Sequence, residues 1–234
     1  MQKIPTLFKR VFDTKTHKII GITPELTDPS LQCVLDGNCM ATIKMDGACC
    51  AIIEGAMYKR YDAKKGKNPP VGAISCCDPD PITGHHPYWV RVEANNPADK
   101  WFVQAYENTL TDMLEIYKRY PTSSLRTYEA IGPHFQGNPY GLKRDVLSAH
   151  GRHIIIFDEI SFDTIRNYLQ NTPIEGIVFW KDCWPLCKIK RSDFGFDWPC
   201  EGAGATDLMK LYNVTIKTIV GPIKMIRDHG RDSE

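Results

Sequence analysis

A succession of short apolar runs joined by tight turns most constrains the fold of this chain. The first run extends from Met40 to Lys44 and the second from Cys49 to Ile53, with Asp46-Gly47 between them. Glu54-Gly55-Ala56 then leads into a third run, from Met57 to Tyr61. Short apolar runs bounded by glycine turns are typical of antiparallel strands. The sequence therefore predicts a β-meander in this region.

Later segments continue the same pattern. Further strands are predicted over Ser124 to Ile131, His153 to Phe157, Gly176 to Trp180 and Leu186 to Lys190. Helical spacing predicts helices over Ala98 to Arg119, with a break near Asn108-Thr109 left open, and over Phe162 to Leu169. Asp62 to about Pro87 has no periodic pattern, which predicts a flexible substrate loop. Strands in hairpin-like succession favour an α+β fold with antiparallel sheets.

Size and composition are those of an ordinary globular protein. The 234 residues allow one large domain or two closely joined ones, and 42% are hydrophobic while 24% are charged. No apolar run reaches the length of a membrane span, and Met1 to Pro5 leads into no apolar signal segment. We therefore expect neither membrane insertion nor secretion.

The nine cysteines indicate a reducing compartment, cytoplasmic or otherwise intracellular. Their odd number and the adjacent pairs Cys49-Cys50 and Cys76-Cys77 do not fit a disulfide framework, so free thiols are predicted. No Cys-x-x-Cys pair occurs, and Cys183 with Cys187 does not reproduce a zinc-site spacing. The sequence predicts no structural zinc.

The formal charge of +1 excludes a strong overall attraction to nucleic acid. Basic residues cluster at positions 64–67 and again at 188–191. Each cluster fits either a local groove for a polyanion or an exposed, solvated surface. Any contact with nucleic acid must come from such a local groove.

The sequence Lys44-Met45-Asp46-Gly47 offers an amine at a strand end. A lysine amine can attack a phosphorus atom once it has lost its proton, which neighbouring cations and a bound metal would favour. Lys188 and Lys190 alternate along a predicted strand, so they share a face and could grip a triphosphate. Glu129 and Glu175 lie at strand ends, where carboxylates could hold a metal. Taken singly, each residue also fits an exposed surface position.

In this order the residues resemble the motifs of the covalent nucleotidyltransferase superfamily, which comprises ATP-dependent DNA and RNA ligases and mRNA capping guanylyltransferases. The matching positions are Lys44-Met45-Asp46-Gly47 for motif I, Arg60 for motif Ia, Glu129 for motif III, Phe157 for motif IIIa, Glu175-Gly176-Ile177-Val178 for motif IV and Lys188-Ile189-Lys190 for motif V.

Four longer strings are more closely similar to the ATP-dependent RNA ligase family that includes the vertebrate 5′-to-3′ RNA ligase. They are Lys44-Met45-Asp46-Gly47-Ala48-Cys49-Cys50, Glu129-Ala130-Ile131-Gly132 with Gly137-Asn138-Pro139-Tyr140-Gly141, Glu175-Gly176-Ile177-Val178, and Cys187-Lys188-Ile189-Lys190 with Trp198-Pro199.

This resemblance implies a nucleotidyltransferase (ATP-grasp-like) fold with antiparallel sheets flanked by helices. Residues 1–200 would form the adenylylation domain and residues 201–234 a short extension packed on it. About forty residues follow Lys190, which is too few for the OB-fold domain of DNA ligases and capping enzymes. The small number of residues after Lys190 therefore favours an RNA ligase over a DNA ligase or a capping enzyme.

The resemblance also implies the reaction. Lys44 would attack the α-phosphate of ATP, release pyrophosphate and hold AMP through a phosphoramidate bond. The adenylate would pass to an RNA 5′-phosphate, and attack by an RNA 3′-hydroxyl would join the ends and release AMP. Mg²⁺, or Mn²⁺ in its place, would offset charge in each transfer. A monomer active in RNA repair is the simplest expectation.

Residue roles follow from the same resemblance. The catalytic residues would be Lys44, Asp46 and Lys190. Contacts with the nucleotide would come from Ile43, Lys44, Arg60, Glu129, Phe157, Lys188 and Lys190. Glu175 and Glu129 would hold the metal, with Glu129 touching either the ribose or a water on the metal.

Two other functions remain open at this point. A capping guanylyltransferase would use the same lysine chemistry with GTP, and a non-catalytic binder of RNA ends or nucleotides would use Lys44 only as a cation. The sequence also leaves open whether the RNA is a nicked duplex, a cleaved tRNA loop or a free single strand.

Overall fold

The structure is a computed structural model that describes residues 3–117 and 125–201. Its strands are β1 (Phe8–Phe12), β2 (Ile19–Leu26), β3 (Met40–Lys44), β4 (Ala48–Ile53), β5 (Ala56–Ala63), β6 (Ile74–Ser75), β7 (His86–Arg91), β8 (Leu125–Ile131), β9 (Val146–Ala149), β10 (Ile154–Ile155), β11 (Gly176–Lys181) and β12 (Trp184–Lys190). The helices are α1 (Gln32–Leu35), α2 (Lys100–Tyr117) and α3 (Phe162–Asn171).

The strands form two larger antiparallel sheets and one hairpin. The first sheet has the order β10-β3-β11-β12, the second has the order β6-β7-β5-β4-β8-β9, and β1 pairs with β2. Every strand pairing between these elements is antiparallel. The predicted α+β class with antiparallel sheets is confirmed.

The first sheet has one apolar and one charged face. Ile43, Ile177 and Ile189 are opposite one another on β3, β11 and β12, and each is at most 6% exposed. The next row along pairs Gly176 with both Lys44 and Lys190. Because successive side chains in a strand point to opposite faces, the lysines lie on the face away from the core.

Helix α3 covers the apolar face. It begins with a capping box in which the Ser161 hydroxyl accepts from the Thr164 backbone N–H, and the Thr164 hydroxyl accepts from the Ser161 N–H. Ile165 and Leu169 of α3 are fully buried in the same core as Ile177. The edge of β12 is covered as well, because Leu7 donates to the Lys188 carbonyl and Lys188 donates to the Pro5 carbonyl.

The second sheet packs one face on α2. Cys50, Tyr128 and Leu147 of the sheet form a buried cluster with Ala105 of α2. The helix runs without a break through Asn108-Thr109, where the Asn108 side chain donates to the Asp145 carbonyl. The opposite face of the sheet carries Cys49 and Glu129, and it lines a cavity together with the first sheet.

Several elements differ from the sequence prediction. Strands β1, β2, β7 and β9 were not predicted, and β10 has two residues where five were expected. Residues 62–87 are not a featureless loop, because β5 continues to Ala63, β7 begins at His86, and β6 pairs with β7 between them. The predicted extension at 201–234 lies almost wholly outside the described residues, so the domain boundaries stay a prediction. No described helix is long and apolar enough to cross a membrane.

Two glycines permit close approach of backbone at the sheet ends. A Cβ on Gly47 would collide with the carbonyl of Ala130, and a Cβ on Gly176 would collide with the carbonyl of Ile189. Gly21 of β2 has no such neighbour within 4 Å. The glycines of the two motifs are therefore required by packing.

We expect Gly176→Ala to lower the free energy of unfolding by about 1–3 kcal/mol, because a methyl group must displace the backbone of β12. Chemical denaturation measures this change. Gly21→Ala is the matched control, and it should leave stability nearly unchanged. Equal stabilities of the two variants would contradict the packing argument.

Candidate active site

A cavity of about 770 Å³ is lined by both larger sheets. One wall holds Lys44 and Lys188. We call the surface formed by Lys44, Lys188 and Lys190 the lysine face. The other wall carries Cys49, Glu129 and His150. Residues 77–83 contribute a further part of the lining. The cavity thus places cations opposite a carboxylate, a thiol and an imidazole.

Glu175 lies between two lysines. Its Oε2 is 2.5 Å from the Lys44 Nζ, and its Oε1 is 2.6 Å from the Lys190 Nζ. Glu175 is only 4% exposed, so its carboxylate needs these cations to offset the cost of burial. Antiparallel pairing explains the arrangement, since Lys44 and Lys190 are both opposite Gly176, the residue after Glu175. This triad carries a net positive charge.

Lys188 adds a third cation to the lysine face. Burial, together with the nearby charges of Lys44, Lys190 and Arg10, lowers its pKa from 10.5 to about 8. Glu175 acts in the opposite direction but does not compensate. An anion that binds beside Lys188 would stabilise its ammonium form.

Asp46 is fixed by residues from distant parts of the chain. Its backbone N–H donates to the Tyr140 hydroxyl at 2.5 Å, and its Oδ2 accepts from the Trp198 Nε1 at 2.8 Å. Tyr140 is fully buried, and its ring lies 5.7 Å from that of Trp198. The turn after Lys44 is therefore pinned. Tyr140 and Trp198 belong to the strings that resemble the RNA ligase family, but no role was predicted for them.

Lys190 is anchored from its backbone. Its N–H donates to Asp193 Oδ2 at 2.8 Å, and Asp193 Oδ1 is 2.8 Å from a guanidinium nitrogen of Arg10. Arg191 donates to the carbonyls of Leu169 and Thr172 near the end of α3. Asp193 and Arg10 were missed by sequence reasoning, because only the folded chain brings β1 beside the end of β12.

Arg60 and Glu129, which the resemblance implies to contact the nucleotide, both line the cavity. The Arg60 Nε donates to Asp62 Oδ1 at 2.9 Å. Glu129 Oε2 is 2.9 Å from the His150 Nε2 and lies opposite Cys49 in the pairing of β4 with β8. Burial and the charge of Glu129 raise the pKa of Cys49 to about 12, although Arg60 opposes them.

Phe157 is not brought to the cavity. It packs edge-on against Tyr168, with ring centroids 5.2 Å apart, and lines a second cavity of about 380 Å³. A strand was expected to continue through Phe157, but β10 ends at Ile155. The alternation of side chains along the strand therefore does not place Phe157 on the lysine face. Trp180 lines the main cavity instead, where its Nε1 donates to Thr42 Oγ1 at 2.7 Å.

Ile43 contributes to the cavity wall, but its side chain is buried in the core and is only 6% exposed. Its backbone N–H donates to the His153 carbonyl at 2.8 Å. Any contact between Ile43 and a nucleotide must therefore come from the strand surface rather than from a projecting side chain.

Comparison with known proteins identifies the family. A family model described as RNA ligase 1 matches residues 73–217. The chain belongs to the RNA ligase 1 family. RNA ligase 1 of Pongo abelii is 30% identical over 142 residues, a match that covers 50% of this chain and 42% of that protein. This chain thus spans less than half the length of that relative.

The family match covers only part of the candidate site. The range 73–217 matched to RNA ligase 1 contains Glu129, Glu175 and the lysines of β12, whereas Lys44 and Arg60 precede it. Lys44 is joined to the matched part by its ion pair with Glu175. In this RNA ligase 1 family member, structure therefore links the candidate nucleophile to the matched region.

The two glutamates expected to hold a metal have different partners. Both oxygens of Glu175 accept from lysines, and this side chain is an oxygen donor suited to Mg²⁺ beside phosphates. In the described part of the chain, the ligand atoms of Cys49, Glu129 and His150 all lie within 4.8 Å of one another, and Glu175 is not in that group. Of the two, Glu175 fits the expected Mg²⁺ site better.

We expect Tyr140→Phe to lower the free energy of unfolding by about 1–3 kcal/mol, because the part-buried Asp46 N–H loses its acceptor. Thermal and chemical denaturation measure this change. Tyr106→Phe is the matched control, since the Tyr106 hydroxyl donates to the Gly55 carbonyl at an exposed position. A loss as large in Tyr106→Phe would contradict the pinning of the Lys44 turn.

Proposed function

We propose that the protein is an ATP-dependent RNA ligase with a nucleotidyltransferase fold that adenylylates itself on Lys44. The observation that carries the proposal is the ion-paired cluster of Lys44, Glu175 and Lys190, from which Lys44 reaches the wall of a large cavity. Membership of the RNA ligase 1 family supports RNA as the substrate. The activity of the whole protein remains part of the proposal.

The first step begins with the release of Lys44 from Glu175. Lys44 must lose a proton before it can attack, and the carboxylate of Glu175 at 2.5 Å stabilises the ammonium. If Glu175 held a divalent cation, Lys44 would lose that negative charge while the positive charges of the lysine face would remain. Both changes favour the neutral amine. Mg²⁺ bound at Glu175 would also offset charge on the phosphates.

The attack then exchanges one bond for another. The Lys44 nitrogen forms a bond with the α-phosphorus of ATP, and the bond from that phosphorus to the bridging oxygen of pyrophosphate breaks. Lys188 and Lys190 lie on the same face as Lys44, where they can neutralise the leaving pyrophosphate. Asp46, held by Tyr140 and Trp198, keeps the turn after Lys44 in place.

The opposite wall would receive the sugar and the RNA end. Glu129 faces the cavity and can accept a hydrogen bond from a ribose hydroxyl. Arg60 carries a guanidinium on the same wall, suited to the 5′-phosphate of RNA. Transfer of AMP to that phosphate and attack by a 3′-hydroxyl would complete ligation.

The deciding experiment incubates the protein with Mg²⁺ and α-labelled ATP or α-labelled GTP, followed by a denaturing gel. We expect label from ATP, and its loss in both Lys44→Ala and Lys44→Arg, because arginine keeps the charge but stays protonated. Label from GTP alone would indicate a capping guanylyltransferase. Absence of label from either would contradict the enzyme and favour a binding protein.

We expect Glu175→Ala and Lys190→Ala to reduce adenylylation by about 10²–10³-fold, the usual cost of removing a group that stabilises developing charge. The rate of labelling in single-turnover experiments measures this loss. Lys9→Ala is the control, because Lys9 pairs with Glu25 at an exposed position on the β1-β2 hairpin. Near-normal labelling in Glu175→Ala or Lys190→Ala would remove that residue from the site.

ATP binding should weaken by about fivefold between pH 8 and pH 9, because the charged fraction of Lys188, whose pKa is about 8, falls from about a half to about a tenth over that range. A neutral amine no longer attracts the phosphates, so affinity falls as pH rises. Calorimetric titration in the presence of Mg²⁺ measures it. In Lys188→Arg the guanidinium stays charged and the pH dependence should be lost. The same slope in both proteins would contradict the assignment.

A further inference from the structure

Three side chains with metal-ligating atoms meet on the wall opposite the lysine face. Cys49 on β4 lies directly opposite Glu129 on β8, and His150 follows β9 immediately. The ligand atoms of all three lie within 4.8 Å of one another. All three residues line the cavity, so an ion can reach them from solvent.

The spacing is close to that of a zinc site with three protein ligands. Zinc bonds of about 2.0–2.1 Å to nitrogen and about 2.3 Å to sulfur place tetrahedral ligand atoms roughly 3.3–3.6 Å apart. Glu129 Oε2 and His150 Nε2 are 2.9 Å apart. A small outward movement of these two side chains would therefore admit the ion.

The His150 ring already has the support that a metal-bound imidazole needs. Its Nδ1 is 3.0 Å from the Thr127 hydroxyl, and its backbone N–H donates to the Thr127 carbonyl. When Nδ1 donates to that hydroxyl, the lone pair of Nε2 faces Glu129 and Cys49. An outer hydrogen bond of this kind fixes the tautomer and the orientation of a histidine ligand.

The chemistry of the three ligands distinguishes zinc from magnesium. A thiolate and a carboxylate would supply two negative charges, which balance a divalent cation, and a thiolate with an imidazole suits zinc whereas magnesium prefers oxygen. The Arg60 guanidinium lies near Cys49, but Asp62 pairs with it at 2.9 Å and offsets its charge. On binding, a zinc–sulfur bond forms and the thiol proton passes to solvent.

We propose that Cys49, Glu129 and His150 form a zinc-binding site whose fourth position opens into the cavity. The site is separate from the Mg²⁺ position proposed at Glu175. Because zinc and a ribose hydroxyl both draw on the Glu129 carboxylate, zinc weakens the binding of ATP. This last consequence rests on the proposed function, whereas the binding of zinc does not.

Cobalt provides the direct test, because a cobalt–thiolate bond gives an intense absorption band that other ligands do not. Titration of the full chain with Co²⁺ should produce this band, and Cys49→Ser should lose it. Cys39→Ser is the matched control, because Cys39 is also partly buried but lies beside Cys33, with the two sulfurs 3.7 Å apart. A band that persists in Cys49→Ser, that is lost in Cys39→Ser, or that is absent from the unaltered protein overturns the proposal.

Zinc affinity tests the other two ligands. Displacement of Co²⁺ by Zn²⁺ should show affinity at least about 10-fold weaker in Glu129→Gln and in His150→Gln, since each loses one of three ligands. Circular dichroism establishes that these variants and Cys49→Ser are folded. Unchanged affinity in both variants would overturn the assignment, including in the case where Cys49→Ser does not fold.

Competition with ATP is measured separately. Calorimetric titration with ATP at fixed excess Mg²⁺ should show affinity at least about 10-fold weaker when zinc saturates the unaltered protein, and no change in Cys49→Ser. Equal weakening in Cys49→Ser, or none in the unaltered protein, overturns the competition. If ATP does not bind at all, the proposed ligase fails, but the cobalt band still decides the zinc site.

Discussion

The shared carboxylate of Glu175 is the interaction on which the rest of the site depends. It joins Lys44 at the end of β3 to Lys190 at the end of β12, and both lysines lie in the row of Gly176, the residue after Glu175. A nearly buried carboxylate is stable there only while both cations are present. The same contact therefore holds three strand ends together.

The two walls of the cavity have complementary chemistry. The lysine face offers positive charge in an environment where burial already weakens the hold of Lys188 on its proton. The opposite wall offers acceptors in Glu129 and His150. A nucleotide has the matching division, with its charge on the phosphates and hydroxyl donors on the ribose. Because Tyr140 and Trp198 pin the turn beside Lys44 from distant segments, this arrangement exists only in the folded domain.

Local pattern predicted a large part of the fold and of the lysine face. The bounds of β3 and the shared face of Lys188 and Lys190 follow from alternation along a single strand, and the structure has both. The strand predicted over His153 to Phe157 is shortened for a physical reason: of its three isoleucines, Ile154 and Ile156 are exposed and Ile155 alone is buried. An apolar run at a sheet edge has no neighbour that extends its pairing, so Phe157 turns away from the cavity.

The group formed by Cys49, Glu129 and His150 could not have been predicted from the spacing of ligand residues in the sequence. Zinc motifs are recognised when ligands recur within one loop or hairpin, whereas here Cys49 lies on β4 and His150 comes directly after β9, about a hundred residues later. Sheet pairing alone brings them together, through Glu129, which lies opposite Cys49 and within hydrogen-bonding distance of His150. Glu129, which the resemblance implies to contact a nucleotide, thus also completes the proposed zinc site. Under the two proposals, cations of different preference would act on the site, one through Glu175 beside Lys44 and the other through Cys49 on the opposite wall of the cavity.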